Sequence, residues 1–110
     1  MSLHVQREDS AVILEVRGQL VVSNWRELRQ TVLETLEAGA RNILVDFEQT
    51  SYIDSSGVSV LVHISNKIRE KGGQLRLANL NEDLKRLFEL TRLDSVFQIA
   101  DSRKAALASF

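Results

Sequence analysis

The chain of 110 residues contains no cysteine and no proline, and its aromatic residues are only one Trp, one Tyr and four Phe. Without Cys there is neither a disulfide nor a thiolate, which fits a reducing compartment and excludes Cys-based metal or redox chemistry. So few aromatics leave little to stack on bases. A formal net charge of −1 gives no net basic surface to hold a phosphate backbone, so direct nucleic-acid binding is disfavoured. No run approaches the roughly 20 consecutive apolar residues of a membrane helix. The start, Met1-Ser2-Leu3-His4-Val5-Gln6-Arg7, lacks the apolar stretch of a signal peptide. These absences lead to the expectation of a cytoplasmic protein with no membrane insertion. Length and apolar content suit one domain over residues 1–110 with a single core.

Catalytic signatures are also missing. His4 and His63 are far apart, with no acidic cluster at ligand spacing around them, so neither a metal site nor a cofactor is expected. The pattern Gly-x-Ser-x-Gly does not surround Ser55, and Gly72-Gly73 is followed by Gln74-Leu75 rather than by the Lys-Ser/Thr of a phosphate loop. No nucleophile and base form a pair. The chain reads as a binding or signalling module, not as an enzyme.

What is present is a regular alternation of elements. Leu3 to Gln6 and Ala11 to Val16 flank the polar Arg7-Glu8-Asp9-Ser10 and predict a hairpin, with Gly18 ending its second strand. Ser23-Asn24 offers a cap for a helix with Trp25, Leu28, Val32, Leu33 and Leu36 on its apolar stripe and Arg26, Glu27, Arg29, Gln30 and Glu34 opposite. Trp25 reads as core or rim packing on that stripe. Asn42 to Phe47 and then Ser51 to Ile53 read as strands. Val58, Leu61, Val62, Ile64 and Ile68 recur at helical spacing until Gly72-Gly73. Leu75 and Leu77 mark a further strand. Asn81 caps a helix with Leu84, Leu87, Phe88 and Leu90 inside, Val96 to Ile99 is a last strand, and Asp101-Ser102 caps a terminal helix containing Ala105, Ala106, Leu107 and Phe110. A hairpin followed by alternating strands and helices predicts an α/β domain with a mixed sheet, its strand-to-helix turns gathered at one edge. Ligands and partners usually meet open α/β sheets at that edge.

One such turn, Ile53-Asp54-Ser55-Ser56-Gly57-Val58, places Asp54 to Ser56 at a helix N-terminus. Free backbone N–H groups and the positive end of the helix dipole suit a capping carboxylate or hydroxyl there, or a bound or covalent phosphate. The residue types alone leave capping and function both open.

The order of Gly18, Tyr52-Ile53-Asp54-Ser55-Ser56-Gly57-Val58, Lys71-Gly72-Gly73 and Leu84-Lys85-Arg86-Leu87-Phe88 resembles the STAS-domain family over essentially the whole chain. Within that family it is similar to bacterial anti-sigma factor antagonists. The resemblance implies the STAS fold, a mixed central sheet of about four to five strands with about four helices packed mainly on one face. It also implies a partner switch. The serine after the Asp, here Ser55, is phosphorylated by an anti-sigma factor that is itself an ATP-using serine kinase. The unmodified form binds that factor and frees the sigma factor, and a serine phosphatase restores it. Asp54, Ser56, Gly57 and Val58 match the surrounding motif, and Ser59, Val62, His63 and Asn66 on the following helix are the expected partner face. A monomer suits such a switch. Family members often carry an acidic residue three positions after the glycine that follows the second strand, where this chain has Val21. The other role known for such a module is a non-switching scaffold or regulatory subunit, as in a stress-signalling assembly or a lipid-transport ATPase.

Overall fold

The sheet is assembled on one long strand. In the computed structural model, which describes residues 1–8 and 10–110, β1 (Ser2–Glu8) pairs antiparallel with β2 (Ala11–Leu20). The expected hairpin is therefore present; Asp9 of its turn lies outside the described residues. The other edge of β2 takes β3 (Asn42–Asp46) in parallel against Ala11 to Glu15. Past the break, β4 (Thr50–Ile53) joins the outer part of β2, from Gly18 to Leu20. Gly18 thus does not end the strand as its sequence position suggests. It takes φ +99°, a conformation that glycine adopts without steric cost, and the register shifts between Gly18 and Gln19, so the strand bends and continues. β5 (Gln74–Ala78) and β6 (Gln98–Ala100) extend the sheet in parallel beyond β3. The six strands among the described residues are those read along the sequence, the short β4 and β6 included, against the about four to five that the resemblance implies.

Helices α1 (Trp25–Glu37), α2 (Ser55–Glu70), α3 (Glu82–Leu90) and α4 (Arg103–Ala108) complete the described elements, with a 3-10 turn at Leu93–Ser95. Strand periodicity decides which side each covers. Val12, Leu14, Val16, Ile43, Val45 and Leu77 point into the main core with Leu28, Val32, Leu61, Ile64, Leu84 and Phe88 of α1, α2 and α3. Their immediate neighbours Ile13, Leu44 and Ala78 point the other way, onto Ala106 of α4. Three helices share one face and the short α4 covers the other, in accord with the expected arrangement.

Three local expectations are corrected. Leu90 is 78% exposed because it closes α3 one position off the Leu84 and Phe88 stripe. The segment Val96-Phe97 belongs to the turn before β6, with Phe97 folded inward against Phe88 at 5.9 Å between ring centroids. Phe110 lies beyond the end of α4, where its ring takes the guanidinium of Arg76 at 5.0 Å.

The Asn81 cap is as expected, its Oδ1 accepting from Leu84 N–H at 2.8 Å, and its Nδ2 donates to the Thr50 carbonyl at 3.3 Å. It thereby ties α3 to β4. Asn81→Ala is expected to cost about 1–2 kcal/mol in a urea titration; an unchanged midpoint would show that the cap carries no stability.

Candidate functional site

Parallel crossovers on one face bring the start of α1, after β2, and the start of α2, after β4, to the same edge of the sheet. Asp54 organises this edge. Its backbone is extended, its N–H donates to the Leu20 carbonyl at 3.1 Å, and its carboxylate accepts from two backbone groups. Oδ1 takes the N–H of Gly57 at 2.9 Å, a helix cap, and Oδ2 takes the N–H of Val22 at 3.0 Å, in the loop that leads to α1. One side chain therefore fixes both crossovers to each other. The N–H groups of Ser55 and Ser56, first in α2, have no intrahelical partner.

Asn24 does the matching work on the α1 side. Instead of capping its own helix it accepts from Val21 N–H at 2.9 Å and donates to the Gln19 carbonyl at 2.8 Å, closing the loop on itself. Val21 is half-buried within that closed loop, whereas Val22 is 62% exposed beside the Asp54 carboxylate.

Gly57 explains how α2 comes so close. A Cβ there would lie 2.5 Å from the Leu20 carbonyl oxygen and 2.6 Å from Cγ2 of Ile53, inside any permitted contact. Gly57 is buried and offers no surface to a partner; its part in the site is this approach. Of the other residues expected there, Ser55, Ser59, His63 and Asn66 are exposed and Ser56 is half-buried, while Val58 and Val62 are half-buried against the main core. Ser55, Ser56, Ser59 and His63 stand together along one wall of a cleft of about 350 Å³ between α1 and α2. Asn66 continues their helical face without lining that cleft.

The facing wall is Trp25 and Arg29 of α1. Reading the sequence left Trp25 to packing and Arg29 to the solvated face. Their spacing of four residues puts them on one face of α1, and the parallel crossover turns that face toward Ser55. Arg26 lies over the indole ring, at 4.6 Å from its centroid. The cleft is lined by three serines, an imidazole, a guanidinium, an indole and the side chain of Val60, with no carboxylate among its lining residues. No group of three or more His, Cys, Asp or Glu suited to a metal ion occurs among the described residues, and no helix is long and apolar enough to cross a membrane.

Comparison with known proteins agrees over nearly the whole length. The STAS domain family model matches residues 2–106. The anti-sigma-B factor antagonist of Bacillus subtilis is 29% identical over 100 residues, covering 91% of each chain. A Thermotoga maritima protein assigned as an anti-sigma factor antagonist superposes with a TM-score of 0.91 at 28% identity, covering 97% of this chain and 92% of that one. The fold is also that of Bacillus SpoIIAA solved in its phosphorylated form, with a TM-score of 0.75 at 20% identity over 99% of this chain and 100% of that one. With β2 bent at Gly18, Asp54 joining the two crossovers and the family model spanning the core elements, this chain belongs to the STAS domain family.

Proposed function

We propose that the protein is an anti-sigma factor antagonist working as a phosphorylation-controlled partner switch, with Ser55 as the phosphoacceptor. The observation that carries this reading is the placement of Ser55. Its side chain stands exposed in the first turn of α2, at the edge where two crossovers meet, on a turn held from behind by Asp54 and Gly57. The B. subtilis relative named for antagonism of an anti-sigma-B factor supports the partner class.

In the transfer, Ser55 Oγ attacks the γ-phosphorus of ATP held by the anti-sigma kinase. The new O–P bond forms as the bond to the bridging oxygen of ADP breaks, and the hydroxyl proton leaves to a base on the kinase. The product carries about −1.5 to −2 charges near neutral pH. The helix N-terminus tolerates that charge, and a protein of this fold has been solved phosphorylated. A partner packed over Ser55 does not tolerate it, because docking would strip water from the phosphate beside the Asp54 carboxylate. A serine phosphatase removes the group by hydrolysis and resets the switch. The unmodified surface for docking comprises Ser55, Ser56, Ser59, His63 and Asn66, with exposed Tyr52 and Val22 beside them at the same edge.

The test is capture of the anti-sigma kinase by wild type and by Ser55→Asp. A single negative charge is expected to weaken binding at least about tenfold, about 1.4 kcal/mol. Equal capture by both proteins would refute the charge switch. Absence of phosphate on Ser55 with every cognate kinase would point to a non-switching scaffold.

A further inference from the structure

The cleft beside Ser55 contains an unused cation. Among the described residues Arg29 has no carboxylate within 4.0 Å, unlike Arg17 and Lys67, which have one each, and Lys85 and Arg103, which have two each. Arg29 nevertheless stands on a concave wall with Trp25, opposite the hydroxyls of Ser56 and Ser59 and the imidazole of His63. These groups include several hydrogen-bond donors. The carboxylate nearest in the chain, Asp54, is already committed to the N–H groups of Gly57 and Val22. The hydroxyl of Ser55 opens on the same cleft.

We propose that the cleft between α1 and α2 receives the phosphoryl group carried by Ser55, with Arg29 as the residue that pairs with it. This rests on the reading of Ser55 as phosphoacceptor. Three oxygens and nearly two negative charges match a planar guanidinium fork, which binds phosphate through two parallel N–H bonds. The serine hydroxyls supply further donors, and about 350 Å³ accommodates a tetrahedral group with water to spare. The modified protein then presents a filled cleft in place of an open one. Partner side chains lose the place they would occupy, in addition to meeting a charge.

The only Trp of the chain lines this cleft and so reports on its contents. The experiment uses the full chain with phosphoserine installed at position 55 during translation, which needs no kinase. Phosphorus NMR follows the second ionisation of the phosphate against pH. The groups around it are Arg29 and His63 on the two walls, Arg26 over the Trp25 ring, and the Asp54 carboxylate at the cap. Titrations of wild type and of His63→Gln separate the phosphate from the imidazole.

Pairing with Arg29 is expected to bring the ionisation at least about half a pH unit below its ordinary value near 6. Arg29→Gln should restore most of that difference, Arg29→Lys only part of it. Trp25 emission should change on phosphorylation in wild type and not in Arg29→Gln. The same titration curve in wild type and Arg29→Gln would overturn the proposal. Capture of the anti-sigma kinase by the same samples keeps the two ideas apart. If phosphorylated protein binds it as tightly as unmodified protein while the titration depends on Arg29, the cleft stands and the partner switch falls. If binding is lost but the titration ignores Arg29, the reverse holds.

Discussion

Replacing Arg103 by methionine is expected to lower the free energy of unfolding at neutral pH by about 3–5 kcal/mol, the cost of leaving a buried charge unpaired. Register makes this site exposed to loss. Glu15 on β2 and Asp46 on β3 are direct cross-strand partners on the face that carries α4, an arrangement in which like charges repel. Asp46 is completely buried. Arg103, at the start of α4, donates from Nε to Asp46 and from Nη2 to Glu15, each at 2.9 Å, and from Nη1 to Gln6 at 2.9 Å. Without it Asp46 retains only Asn79 Nδ2 and the Glu48 N–H, each at 3.0 Å.

Burial works against the Arg103 charge, but the hydrogen bonds and charges of Asp46 and Glu15 outweigh it and raise its pKa. Glu15 is held below its ordinary 4.5, chiefly by the hydrogen bond from Arg17, with partial burial opposing and Arg103 assisting. Its contribution is therefore fully present above that ordinary value and fades as pH falls through the depressed one. Arg103→Met removes part of what acid would have removed. Urea titrations at pH 7 and near pH 3 should show the gap between variant and wild type narrowing in acid; a gap that stays constant would argue against an electrostatic origin.

The second large effect is expected from Gly57→Ala, a loss of about 3 kcal/mol, the upper end of ordinary overpacking. Alanine would gain about 1 kcal/mol in helix propensity, and the steric term must exceed that. It does so because the nearest atom, the Leu20 carbonyl oxygen, is backbone and cannot rotate aside. Leu20 and Ile53 are buried as well. Helix α2 would have to lift from β2, stretching the bond from Asp54 N–H to Leu20. For a domain of this size the loss corresponds to a fall in Tm of roughly 12–24 °C. Calorimetry of Gly57→Ala beside Ser59→Ala, a change on the exposed face of the same helix, separates crowding from any general effect of substitution in α2. Equal Tm values for the two would remove the steric argument.

Elements whose signals lie within a few residues were legible in the sequence. The apolar stripes of α1, α2 and α3 and the caps Asp54, Asn81 and Ser102 all depend on spacings of three or four positions, and they stand where they were expected. Leu90 shows the limit of that reasoning, since an apolar residue at a helix end satisfies the period without reaching the core. What no local period reveals is contact between distant segments. Arg103 meets partners 57 and 88 positions earlier, and Asp54 meets Val22 from 32 positions away. The sequence reading set Trp25 on the apolar stripe of α1 and Arg29 on its solvated side, and their shared place opposite Ser55 follows only from the fold. The residue types around Ser55 left capping and function both open, a role for Ser55 came only from the resemblance, and the second wall of its cleft needed the fold.

The bend at Gly18 divides β2 into two lengths with separate partners, and this bears on how the molecule opens. Ala11 to Glu15 lie between β1 and β3 in the middle of the sheet, whereas Gly18 to Leu20 hold only the short β4 through an irregular register on their β4 side. Rupture of the β4 ladder would release the turn bearing Ser55 while β1, β3 and β5 stayed joined. Against such a rupture stand Leu20 and Ile53, both buried in the main core, and the Thr50 hydroxyl, which donates to the Val16 carbonyl at 2.6 Å, so this turn is secured by core packing more than by the length of its ladder.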